Sequence, residues 1–199
     1  MEYKLPDGIK GLIFDLDGTL ADTMPYHMKA WQQACRSFGM DMSSEFLRSF
    51  TGTPGKKIAR ALLEEYGKTG SIDPDDISIR KKEMFRNMQH LVKEVKPVAD
   101  IVRQYKGLLP MAVGTGGPRD TVMNTLDIIG MREYFDVIVT ADDVENHKPH
   151  PETFLKCADQ LGIKAGNIMV FEDGDFGISA AREAGMQSVD VRNWYDYSW

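Results

Sequence analysis

Gly11-Leu12-Ile13-Phe14-Asp15-Leu16-Asp17-Gly18-Thr19 decides how this chain of 199 residues folds. Gly11 to Phe14 form a short apolar run, read as a strand buried on both faces, as in a parallel sheet. Asp17-Gly18-Thr19 is a turn signal that stops it. In near-extended backbone, residues two apart point the same way, so Asp15 and Asp17 can face one space while Leu16 points to the core. Two such carboxylates repel unless a cation or a proton stands between them. Taken alone, the pair could also be an Asp-Gly turn with a fortuitous second aspartate.

Downstream of this strand the pattern changes. Residues 22–95 lack runs of β-branched apolar residues and show helical spacing instead: Ala30, Ala34 and Phe38, then Ile58, Leu62 and Tyr66, then Met84, Met88 and Leu91. Breaks fall at Gly39, at Gly52-Thr53-Pro54-Gly55 and from Gly67 to Pro74, which leaves about four helices. From Lys96 the pattern alternates. It predicts helices over 98–105, 119–129, 151–161 and 177–184, and strands over 110–114, 136–140, 168–171 and 188–191. Such alternation implies an α/β fold, a parallel sheet with helices on both faces. The organisation is a core of 1–21 and 96–199 interrupted after its first strand by a helical insertion, 22–95. Asp22-Thr23-Met24-Pro25 and Lys96-Pro97 read as the hinges between them. The tail from Trp194 to Trp199 is rich in aromatics and could pack on the core or on a partner subunit.

Composition excludes several classes. Hydrophobic residues make up 42% and charged residues 27%, ordinary values for a globular protein. A net charge of −6 supplies no basic footprint for nucleic acid. The basic clusters Lys56-Lys57 and Arg80-Lys81-Lys82 sit among acidic residues and read as solvated helix faces. Cys35 and Cys157 have no zinc-like spacing and read as buried free thiols, which fits a reducing cytoplasm. Residues 1–10 have no signal-peptide run, and no apolar stretch approaches the roughly 20 residues needed to span a bilayer.

Four segments follow predicted strands: Asp15/Asp17, Thr115, Lys148 and Glu172/Asp173. In open α/β sheets ligands bind beyond the carboxyl ends of the strands, so residues distant in sequence can converge there. Alone, each has a plain structural alternative. Glu172-Asp173 could be an acidic helix start, Lys148 a surface lysine, and Gly114-Thr115-Gly116-Gly117 a glycine-rich turn with the wrong spacing for a dinucleotide fingerprint.

Taken together, these segments resemble the four motifs of the haloacid dehalogenase superfamily. Asp15-Leu16-Asp17-Gly18-Thr19-Leu20-Ala21-Asp22-Thr23 is similar to the first, Val113-Gly114-Thr115 to the second, Lys148-Pro149-His150-Pro151 to the third, and Phe171-Glu172-Asp173-Gly174-Asp175-Phe176-Gly177 to the fourth. The resemblance spans nearly the whole chain and is strongest to the β-phosphoglucomutase-like branch. Within it, Met111-Ala112-Val113-Gly114-Thr115-Gly116 and the Phe171 to Ile178 string resemble bacterial fructose-1-phosphate phosphatases. It implies a Rossmann-like core, a cap formed by the insertion, and magnesium-dependent hydrolysis of small phosphate esters.

The roles implied by this resemblance are chemically sensible. Asp15 would attack phosphorus and form an aspartyl-phosphate. Asp17 would protonate the leaving alcohol and later deprotonate water, and its backbone carbonyl would join Asp15, Asp173 and Glu172 around magnesium, Glu172 directly or through water. Thr115, with the amides of Gly116 and Gly117 and the helix after Pro118, would hold the phosphoryl oxygens. Lys148 would neutralise Asp15 and the phosphate. Substrate choice would fall to the cap, with His27, the Gly52 to Lys57 segment (Lys56 in particular), Arg80 and Lys81 as contributors. Gly55 stands where mutase relatives carry a second cap cation, which favours hydrolysis over a phosphomutase. The expected partner is a small phosphorylated metabolite, with no nucleic acid and no membrane, acted on by a monomer or small homo-oligomer. Two other classes compete. A phosphorelay receiver domain also has an aspartate, threonine, lysine and acidic pair, but it lacks a cap and places its acceptor on a later strand. A catalytically silent binding protein would not need every motif residue.

Overall fold

The computed structural model describes residues 3–49 and 55–195. Gly52, Thr53 and Pro54 of the expected break, and residues 196–199 of the aromatic tail, lie outside them. The chain divides into two compact units, one holding the described residues of Met1–Asp22 and Val92–Ser198, the other those of Thr23–Leu91.

The first unit is built on a parallel sheet. Its strands are β1 (Gly11–Phe14), β2 (Met111–Gly114), β3 (Val137–Val139), β4 (Ile168–Glu172) and β5 (Gln187–Asp190), in spatial order β3-β2-β1-β4-β5. β1 is central, pairing Ile13 with Ala112 on one side and with Val170 on the other. All four of its residues are buried, which is why the sequence reads as a continuous apolar run. At the edge, β5 begins with the exposed Gln187 and Ser188.

Helices α5 (Lys96–Tyr105), α6 (Arg119–Ile128), α7 (Glu152–Leu161) and α8 (Asp175–Glu183) complete this unit. One core joins Ile13, Ala112, Val139 and Val170 of the strands to Phe154, Cys157 and Ala158 of α7 and Ala180 and Ala181 of α8. Leu12 and Phe14, one residue to either side of Ile13, point to the opposite face. There Phe14 stacks on Phe171 with ring centroids 4.8 Å apart, and Phe171 meets Tyr3 at 5.6 Å and Trp194 at 6.2 Å. Trp194 therefore packs on the core.

Boundaries differ from the sequence pattern by local chemistry. β2 starts at Met111 because Pro110 has no N–H to give, though its carbonyl accepts from Leu12 at 3.2 Å. α5 starts early, at Lys96, with Val95 as cap and Pro97 in the first turn, where a missing N–H costs nothing. α8 also starts early, because Gly174 is its cap and Asp175 its first residue.

The second unit is helical among its described residues: α1 (Met24–Ser37), α2 (Ser44–Ser49), α3 (Gly55–Glu65) and α4 (Pro74–Met88). Its separate core gathers Trp31, Cys35, Met40, Met42, Leu47, Ile58, Leu62, Leu63 and Ile77. Asp73 caps α4, accepting from the Asp75 amide at 2.9 Å. Both cysteines are buried and free, and burial pushes each thiol up to about 12. No helix among the described residues is long and apolar enough to cross a membrane.

Candidate active site

The site lies where β1, β2 and β4 end. β1 runs into Asp15, whose amide still pairs with the Phe171 carbonyl at 3.0 Å, so the strand delivers this carboxylate rigidly. Next, Leu16 is buried at 1% exposure and the backbone turns over: the Gly18 amide bonds the Ala21 carbonyl at 2.8 Å, and those of Leu20 and Ala21 bond Leu16. Gly18 has φ +87°, and a β-carbon there would lie 2.3 Å from Asp173 Oδ2. Glycine is therefore required twice, for the turn and for the approach of Asp173. Thr19 explains the last letter of the motif, donating its hydroxyl to Asp173 Oδ1 at 2.7 Å.

Lys148 is 11% exposed at its side chain and joins two of the acids. Its Nζ lies 2.6 Å from Asp15 Oδ1 and 2.8 Å from Glu172 Oε1. The other Glu172 oxygen accepts from the Gly174 amide at 2.5 Å. Glu172 is thus engaged by protein donors at both oxygens. It folds under the first turn of α8, where a β-carbon on Gly177 would fall 1.7 Å from Oε1. The loop carrying Lys148 is tied down by Glu152, whose carboxylate accepts from the amides of Glu145 at 2.8 Å and Asn146 at 2.9 Å. These bonds hold Glu152 below the usual carboxylate range.

The β2 end supplies Thr115, Gly116 and Gly117. Thr115 is 1% exposed, and its amide continues the sheet to the Val139 carbonyl at 3.0 Å. Its hydroxyl accepts from the Gly117 amide at 3.1 Å, and the Gly117 carbonyl accepts from Ala141 at 3.0 Å. The Arg119 amide at the start of α6 is taken by Asp142 at 2.8 Å. Of the expected anion donors, the Gly117 amide and this helix terminus already have protein partners. The Gly116 amide has none among the described residues, and its α-carbon faces open space. Asp17 Oδ2 lies 3.4 Å from where a Gly117 β-carbon would be, with Thr115 Oγ1 3.6 Å from the same point.

Charge is crowded here. Burial lifts Asp15 well above the ordinary carboxylate value. Lys148 opposes the shift, while Glu172, Asp173 and Asp17 add to it. Burial and Glu172 push Asp173 up to about 7, against the Thr19 hydrogen bond and Lys148. Burial disfavours the Lys148 charge, but Asp15 and Glu172 outweigh it and leave its pKa raised. No group of three or more acidic, histidine or cysteine side chains forms a ready metal nest among the described residues. The hard oxygens of Asp15 and Asp173 nevertheless suit magnesium, which takes oxygen ligands and few carboxylates.

In the helical unit, His27 and Lys81 are brought together, Nδ1 to Nζ at 2.9 Å, as α1 and α4 pack. His27 stacks on Phe85 at 4.0 Å. Lys56 is elsewhere on the exposed face of α3, paired with Asp75 at 2.7 Å. Sequence reasoning missed Glu152, Phe154 and the clearances at Gly18 and Gly177. Glu152 could have been suspected from its place in a helix's first turn, but the other three are visible only once elements are packed.

The family model for haloacid dehalogenase-like hydrolases matches residues 12–191. Fructose-1-phosphate phosphatase YqaB of Escherichia coli (strain K12) is 43% identical over 92% of this chain and 96% of its own length. A phosphorylated carbohydrates phosphatase of Thermotoga maritima is 27% identical over 91% of this chain and 84% of its own. Among solved structures, a β-phosphoglucomutase from Clostridium difficile superimposes with a TM-score of 0.78 at 26% identity, covering 94% of this chain and 87% of that one.

Proposed function

The chain belongs to the haloacid dehalogenase-like hydrolases, and we propose that it is a magnesium-dependent phosphatase of small phosphate monoesters, working through an aspartyl-phosphate on Asp15. The observation that carries this reading is the Lys148–Asp15 contact of 2.6 Å at the mouth of β1, beside Thr115 and the open Gly116 backbone. A carboxylate held rigid by its strand and flanked by a buried cation suits attack on an anionic centre. Asp15, Asp173 and the Asp17 carbonyl would hold magnesium, with Glu172 in support. When bound, the ion supplies the positive charge that lets a carboxylate and a phosphate dianion meet.

The residues of the chain do the rest. Lys148 neutralises charge on Asp15 and on the phosphoryl group. The Thr115 hydroxyl and Gly116 amide hold phosphoryl oxygens, and the Gly117 amide joins them if the Thr115 hydroxyl turns to the ligand. As Asp15 attacks phosphorus, the ester P–O bond breaks and Asp17 gives its proton to the departing alcohol. Water then attacks the aspartyl-phosphate, Asp17 takes the proton, and phosphate leaves with Asp15 restored. Glu172, with both oxygens engaged by protein donors, orients Lys148.

Sugar phosphates, fructose 1-phosphate first among them, are the proposed substrates. The names of the Escherichia coli and Thermotoga relatives support this choice. Residues 22–95 would be the specificity cap, with His27 and Lys81 as its contacts. The same proposal covers a cytoplasmic monomer or small homo-oligomer whose partner is a phosphorylated metabolite. A phosphomutase would use the same core. The engagement of Lys56 with Asp75 leaves one cation fewer to grip a second phosphate.

The test is phosphate release across a panel of phosphorylated metabolites with magnesium, run beside an isomerisation assay on hexose 1-phosphates. Release is expected for the native chain, reversibly lost on chelation. Asp15→Asn is expected to reduce it by on the order of 10⁴-fold or more. Full activity in that variant would end the covalent mechanism, and isomerisation without release would make the enzyme a mutase.

A further inference from the structure

Lys148 is held on a third side that none of the catalytic motifs explains. Its Nζ stands over the ring of Phe154, 4.6 Å from the centroid. Phe154 lies on the first turns of α7, is fully buried and belongs to the core that joins α7 to the sheet. The ring is seated tightly. A β-carbon on Gly114, the last residue of β2, would come within 3.1 and 3.2 Å of two of its carbons, and within 3.0 Å of Cys157 Sγ. Gly114 and α7 together fix where the ring face lies.

An ammonium has three protons and no acceptor. Here Asp15 Oδ1 and Glu172 Oε1 occupy two of its directions. The third N–H is the one left for the phosphoryl group, and a buried ammonium still needs compensation on the side its hydrogen bonds do not cover. Another carboxylate would compete with the incoming phosphoryl group for the lysine, and an aliphatic side chain would offer it nothing. An aromatic face attracts the cation through its quadrupole while carrying no net charge.

We propose that Phe154 is a positioning residue for the phosphatase reaction, its ring face holding the Lys148 ammonium where it meets Asp15. The inference rests on the phosphatase reading given above. It assigns the electronic character of the ring, and not only its bulk, a part in turnover.

The test replaces Phe154 with mono-, di- and trifluorinated phenylalanine, which keep its shape while progressively draining the ring face. Two properties are followed in the full-length protein. One is kcat and KM for phosphate release with magnesium, and the other is proton exchange from the ¹⁵N-labelled Lys148 ammonium. Thermal unfolding of each variant controls for packing. Stepwise loss of kcat, about tenfold in total, with faster ammonium exchange and unchanged melting, is the expected result. A flat series in either property overturns the inference, and if kcat is flat in an active enzyme the phosphatase reading still stands. A native chain that releases no phosphate from any substrate overturns that reading instead, and ammonium exchange then decides the role of Phe154 alone.

Discussion

At Gly177 the site depends on the absence of a single carbon. A methyl group there would lie 1.7 Å from Glu172 Oε1 and 2.0 Å from its carboxyl carbon. Gly177→Ala must therefore push Glu172 off Lys148 or lift α8. It is expected to cost about 1–3 kcal/mol of stability, the usual penalty of overpacking, and to lower kcat. Urea unfolding and phosphate release check both, and an unchanged melt would show that Glu172 has room to move. This scale also separates what the chain reveals from what it hides. Asp15, Asp17 and Gly18 were legible because a strand end and a tight turn are local events. The φ of +87° at Gly18 follows from the turn, but its second duty, clearance for Asp173, depends on a residue from another strand. The resemblance anticipates Lys148 beside Asp15, 133 residues away, but not its second partner Glu172, 24 residues on, which meets it only because β1 and β4 are neighbours in the sheet.

Among the elements, prolines punctuate the helices. Pro25, Pro74 and Pro97 stand in first turns and Pro151 caps α7; of these only Pro151 was legible as a helix start, because Pro25 and Pro97 read as hinges and Pro74 as the end of a break. β1 was read to the residue because both of its faces are buried. β5 was placed one residue late because an edge strand with exposed Gln187 and Ser188 carries a weak apolar signal. In the helical unit, spacing revealed the helices but not which faces meet. The His27–Lys81 contact arises from α1 packing on α4 and could not be read from either alone. The N-cap of α4 gives a test at this scale. Asp73→Ala removes the acceptor for the Asp75 amide and is expected to destabilise the protein by about 1 kcal/mol. Asp73→Asn should recover most of it, and equal losses for both would point to a role other than capping.

For the whole molecule, the gathered acids tie stability to metal and pH. Asp15 is raised and Asp173 is brought up to about 7 by burial and mutual repulsion. A carboxyl whose folded pKa exceeds its unfolded value of about 4 binds its proton more tightly when folded. Its stabilising effect is complete below about 4 and is lost as pH rises through about 7. Magnesium prefers the ionised acids. The rise in Tm on adding it is therefore expected to be larger near pH ~8 than near pH ~5. Asp173→Asn, which cannot ionise, should flatten that difference, and an equal rise at both pH values in the native chain would refute the link. The sharpest test of the whole proposal is chemical. Asp17→Asn protein is mixed with magnesium and a phosphate ester bearing a good leaving group, quenched in acid, and its peptides weighed. One phosphoryl group on the peptide containing Asp15 is the expected finding; phosphate release from the native chain, with that peptide never gaining mass and Asp15→Asn still turning over, would rule out Asp15 as the nucleophile.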